Sequence, residues 1–141
     1  MDSHQKELVQ SSFAKVVPIA DKAADLFYDR LFSIDPVLRP LFKGDLKEQK
    51  KKLMQMLAGA VKGLDDMDTL VPVVRQLGAR HAGYGVKDEH YETVAAALLW
   101  TLSKGLGEAF TSETREAWVE VYGIISTVMQ EGARTARASG R

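Results

Sequence analysis

Three histidines occur in this 141-residue chain, and one of them sits where chemistry could be built. His81 shares a helical face with Leu70, Val73, Val74 and Leu77 at three- and four-residue spacing, so its imidazole lies among hydrocarbon rather than charge. A neutral imidazole there has two uses: a core side chain with both nitrogens satisfied by backbone, or a metal ligand. Tyr28 is the one phenol in the stripe Ala24, Phe27, Leu31 and Phe32, and a buried hydroxyl needs a partner. Gln49 interrupts the stripe Leu46, Leu53, Met56, Leu57, Ala60, Val61 and Leu64, either as a margin amide in water or as an inward-facing donor. Lys47, Lys50, Lys51 and Lys52 flank the same turns and read as a solvated face, while His4 and His90 stand among polar and charged residues and read as surface.

The elements that must position these groups are all helical. A first helix runs from about Ser3, as its cap, to Pro18 with Val9, Phe13, Val16 and Val17 inward, and a second follows Asp21. Asp35-Pro36 starts a helix that Pro40 keeps short, and Lys43-Gly44-Asp45 is a turn with Phe42 just before it. Asp45 caps the Gln49 helix, the Leu70 helix ends at Gly83-Tyr84-Gly85, and Asp88 caps a helix carrying Tyr91, Val94, Leu98 and Leu102 to Gly105-Leu106-Gly107. A last helix opens near Thr111 or Ser112 and buries Trp118, Val121, Tyr122, Ile125, Val128 and Met129. No useful strand alternation, repeat or linker interrupts this pattern, so the class is all-α. Six long helices and a short one do not make a simple four-helix bundle, which favours a globin-like packing.

Length and composition bound the function. The chain reads as one domain over residues 1–133, with residues 134–141 (Arg134, Arg137 and Arg141 among small residues) as a disordered tail. It has no cysteine, which excludes disulfides, thiolate nucleophiles and cysteine-ligated zinc or iron-sulfur centres. Nineteen basic and nineteen acidic residues balance, so whole-chain charge makes no case for nucleic acid or a membrane surface. The N-terminal residues carry no signal-peptide pattern and no stretch is long and apolar enough to span a bilayer, so a cytoplasmic protein is expected.

Four pieces carry a resemblance: LFYDRLF at 26–32, PLF at 40–42, QKKKLMQ at 49–55 and ARHAGYGVKDEHY at 79–91. In this order and spacing, within a match from about Lys6 to Met129, the chain resembles the globin family, and most closely single-domain bacterial globins and the haem domain of flavohaemoglobins. The resemblance implies a globin fold around haem b. Position by position it implies that His81 is the proximal iron ligand, that Phe42 stacks on the porphyrin, and that Tyr28, Gln49 and Leu53 form the distal side. Gln49 and Leu53 are four apart, hence on one face. Leu53, Leu77, Val86 and Val94 are implied as apolar walls, Lys52 and Arg80 as partners of the propionates, and Tyr91 as a proximal-side tyrosine. In flavohaemoglobins that tyrosine joins a glutamate; here the position falls on Ala133, and Glu131 points elsewhere.

The resemblance thus implies a five-coordinate ferrous iron that takes O2, CO or NO, with the Tyr28 hydroxyl and Gln49 amide donating to the captured ligand and slowing its release. Oxygen storage or transport and nitric oxide dioxygenation both fit those donors, the second requiring an external reductase. A gas or redox sensor acting through a partner is a third reading. The protein is expected as a monomer or homodimer.

Overall fold

The structure, a computed structural model, describes residues 2–42, 44–83 and 86–138. Six α-helices make it up: α1 (Ser3–Val16), α2 (Ala20–Ile34), α3 (Leu46–Gly63), α4 (Met67–Gly83), α5 (His90–Leu106) and α6 (Ser112–Ala138). There is no strand among the described residues, and the all-α class is as expected. Tyr84 and Gly85, expected to close α4, and Lys43 of the expected turn lie outside the described residues, as do residues 139–141.

Local chemistry sets most of the boundaries. Asp2, rather than Ser3, caps α1: its carboxylate accepts the Gln5 N–H at 2.8 Å while the Gln5 side chain accepts the Asp2 N–H at 3.1 Å, a reciprocal capping box. Asp45 caps α3 by accepting the Lys47 N–H at 2.9 Å, and Thr111 caps α6 by accepting the Thr114 N–H at 3.1 Å. Asp88 does not cap α5, which starts at His90; its carboxylate instead meets the Arg137 guanidinium at 3.3 Å. That ion pair involves a residue assigned from sequence to a tail, and residues 134–138 in fact continue α6. The short Pro36–Leu41 segment is a 3-10 helix: Pro40 has no N–H to close an α-helical turn.

The helices pack as two extensive pairs, α2 across α5 and α4 along α6, with α1 bridging α6, α3 and α5. Between α1 and α6 the core contains a polar tie, in which the Trp118 indole N–H donates to Ser12 Oγ at 2.8 Å and that hydroxyl donates to the Leu8 carbonyl at 2.6 Å. Burying the indole nitrogen is thereby made inexpensive.

The α4–α6 pair is closer than side chains allow. A Cβ added at Gly78 would sit 1.9 Å from the Met129 carbonyl oxygen, and one at Gly132 would sit 2.0 Å from that of Arg75. Only glycine permits two helix backbones to meet this way, which justifies its cost inside a helix. Leu70, Val74 and Gly78 form the buried row of α4. Val73, placed on the apolar stripe from sequence, is 56% exposed because it lies outside that row; Val17 and Met56 are likewise exposed.

Candidate functional site

His81 stands on the last turn of α4, beside the row that Gly78 locks against α6. Its Nδ1 lies 2.8 Å from the carbonyl of Leu77, one turn back. A carbonyl only accepts, so Nδ1 carries the proton and the lone pair falls on Nε2, the tautomer that binds a metal. Burial holds the pKa of His81 below its ordinary value; the Leu77 carbonyl acts against that shift and the Arg80 charge adds to it. The imidazole is therefore neutral at neutral pH, and half-buried.

Tyr28 is 3% exposed on the inner face of α2. Its ring is boxed by Phe27 at 5.1 Å, Phe42 at 5.5 Å and Phe32 at 5.9 Å, measured between centroids. Burial raises its pKa, and a hydrogen bond with the Gln49 side chain opposes the rise. The phenol thus stays protonated, a donor throughout the physiological range. The contact with Tyr28 also resolves the two readings of Gln49: this half-buried amide faces inward.

Gln49 and His81 stand on the consecutive helices α3 and α4. Gln49 lies fourteen residues before the end of α3 and His81 fourteen after the start of α4, so each is about 21 Å from the short turn joining them. The two helices meet near that turn, where Leu70 packs on Gly63, and elsewhere touch little. Diverging from that turn, they bound a wedge with Gln49 on α3 and His81 on α4. Leu53 is buried in the core, while Phe42, Leu57, Leu77, Val86 and Val94 are half-buried and packed against it. Lys52 and Arg80 are exposed, within one turn of Gln49 and beside His81 respectively.

Tyr91, on α5, is 7% exposed, and its hydroxyl has no hydrogen-bond partner among the described residues. Its carbonyl is engaged, accepting the Tyr122 hydroxyl at 2.6 Å. Ala133 is buried, and Glu131 points out to Arg75 at 3.8 Å. His4 pairs with the Glu113 carboxylate at the surface, and the His90 ring accepts the Lys87 N–H at 3.0 Å. Gly78 and Gly132 are the residues that sequence reasoning overlooked. A glycine inside a helical pattern was the signal, since it usually marks close packing.

A neutral imidazole on the last turn of α4 and a buried phenol beside an amide, set among apolar side chains of an all-α protein, make a candidate site for a prosthetic group. The Globin family model matches residues 25–129, and the chain belongs to the globin family. It is 30% identical over 129 residues to a flavohemoprotein of Bacillus subtilis, a match covering 89% of this chain but only 32% of that longer protein. It is 29% identical over 146 aligned positions to a neuroglobin of Tetraodon nigroviridis, covering 94% of this chain and 92% of that one. In fold it resembles a hexacoordinated haem protein from an anhydrobiotic tardigrade, with a TM-score of 0.86 at 18% identity over 95% of this chain and 96% of that one.

Haem is the prosthetic group of this family, and the residues present fit it. Among the described residues no three histidine or acidic side chains converge to hold an ion. The half-buried apolar walls suit the porphyrin faces, the two exposed cations suit its carboxylates, and the Tyr91 hydroxyl is a buried donor still to be satisfied. Among the described residues no helix is long and apolar enough to cross a membrane.

Proposed function

We propose that this globin holds one haem b through His81 and reversibly captures dioxygen, and also carbon monoxide or nitric oxide, on the side lined by Tyr28 and Gln49. The observation that carries this reading is the His81 ring, whose Nδ1 is committed to the Leu77 carbonyl at 2.8 Å and whose lone pair falls on Nε2; the buried Tyr28 phenol, boxed by three phenyl rings, supports it. When bound, haem supplies an iron with one coordination position for the protein and one for a diatomic ligand. His81 fills the first, its ring orientation fixed by Leu77. Tyr28 and Gln49 donate to a captured ligand that carries partial negative charge, which slows its escape.

Leu53, Leu77, Val86 and Val94 exclude water, Phe42 lies against the porphyrin face, and Lys52 and Arg80 neutralise its propionates. Gln49 is not an imidazole, and His4 and His90 are held elsewhere by Glu113 and Lys87, which supports a five-coordinate ferrous state. The likeness to a flavohemoprotein, named for flavin and haem together, supports a second reading: oxidation of nitric oxide to nitrate by dioxygen, whose two oxygen atoms both enter the nitrate, each turnover drawing one electron from a separate reductase.

Visible spectra of the haem-reconstituted protein and of His81→Ala, oxidised, reduced, oxygenated and carbon-monoxide-bound, test the site. The expected result is a five-coordinate reduced spectrum that converts to a stable oxygen complex, with normal ligation lost in the variant. A six-coordinate reduced spectrum, or no haem uptake, would overturn the proposal. Sustained consumption of nitric oxide with a cellular reductase, rather than a single stoichiometric turnover, selects the enzymatic reading.

A further inference from the structure

Tyr28, Phe32 and Phe42 form a closed aromatic triad: Tyr28 to Phe42 spans 5.5 Å, Phe32 to Phe42 5.4 Å and Tyr28 to Phe32 5.9 Å. Two of its members belong to α2, but Phe42 comes from the irregular corner after the Pro36–Leu41 turn. Little regular structure holds that corner. Phe42 and Phe32 are both half-buried, so the triad is sealed on one side by the core and on the other by something exposed.

That something is Arg39. Its guanidinium carbon lies 5.4 Å from the centroid of the Phe32 ring, and its Nη1 donates to the Phe42 carbonyl at 3.4 Å. One cation therefore bridges the helical part of the triad and the corner that carries its third ring, through a ring face on α2 and a backbone oxygen on the corner. No acidic partner competes for Arg39 among the described ion pairs.

We infer that Arg39 is a positioning residue that latches the Phe42 corner onto α2, and thereby sets how often the wall beside Tyr28 opens to let a ligand pass. The inference rests on the haem reading for its ligand, but not for its latch. Opening needs both contacts to break, while the buried faces of Tyr28 and Phe27 stay packed. Removing Arg39 should raise the open population about two- to fivefold, the size expected for one exposed cation–ring contact.

The test uses the haem-reconstituted full chain and the variants Arg39→Ala and Arg39→Lys, with two readouts. One is the stopped-flow rate at which carbon monoxide displaces bound oxygen. The other is amide hydrogen exchange, by mass spectrometry, of the peptide covering 36–46, with a peptide of α6 as reference. In Arg39→Ala both rates should rise about two- to fivefold with α6 unchanged. Arg39→Lys should recover part of the effect, since an ammonium can sit on the ring but lacks the guanidinium fork. Unchanged exchange over 36–46 overturns the latch, whatever the ligand kinetics do. Faster exchange without faster displacement overturns its control of access. If the chain takes up no haem, the functional reading fails, and hydrogen exchange of the haem-free chain still decides whether the corner is latched.

Discussion

Against α6, helix α4 packs backbone to backbone, with Gly78 under the Met129 carbonyl and Gly132 under that of Arg75. Against α3, the same helix makes little contact beyond the turn that joins them, and the side chains between, Leu57, Leu77 and His81, stay half-buried. The difference separates two tasks. The glycine seam has no side chains to repack, so it fixes α4 and places His81 one turn beyond Gly78 with little latitude. The wedge is bounded by side chains, among them Tyr28, which three phenyl rings box in. His81 is thus positioned by backbone, and Tyr28 and Gln49 by side chains.

The strongest way to break this comparison is to put a methyl group in the seam. Gly78→Ala should cost about 3 kcal/mol or more, because the obstacle is a carbonyl rather than a flexible side-chain end, and should lower the melting temperature by about 10 °C. Calorimetry checks this; an unchanged melting temperature would mean that the seam is looser than described. On the wedge side, Tyr28→Phe should leave stability within about 1 kcal/mol but speed oxygen release on the order of tenfold. Stopped-flow release equal to that of the parent would remove Tyr28 from the ligand's environment.

A smaller effect sharpens the contrast. A methyl group added at Gly59, on α3, would meet nothing within 4 Å, so Gly59→Ala should stabilise the protein by about 0.5–1 kcal/mol, opposite in sign to Gly78→Ala. Urea unfolding of the two variants side by side reads that sign. The smallest effect lies outside both regions. Glu113 raises the pKa of His4 through a hydrogen bond and its charge, so the stability this contact adds is complete below the ordinary histidine value and lost as pH rises through the raised one. The stability gap between the parent and His4→Gln should therefore shrink from pH 6 to pH 8; a gap independent of pH would show that the pair contributes nothing.

Much of this was legible along the chain because helix period and caps are local. The Asp45 cap, the end of α5 near Gly107 and the inward face of α2 follow from residues within a few positions of one another. Asp88 misled for a reason that local reading cannot see: its carboxylate is taken by Arg137, forty-nine residues away, and the same pair accompanies α6 past its expected end. Val73 misled similarly, since periodicity gives a stripe but not how much of it a neighbour covers.

Residue type alone determined that His81 stands on an apolar face, that Tyr28 is a phenol among hydrocarbon and that Gln49 breaks a stripe, because these are properties of spacing. Tertiary structure decided what each is for. Gln49 came beside the Tyr28 phenol only when α3 was laid against α2, and His81 took its place only because α4 was drawn onto α6. Helix period is written every few residues, whereas the separation of two helices depends on what packs behind them, and here that was set by two glycines fifty-four residues apart.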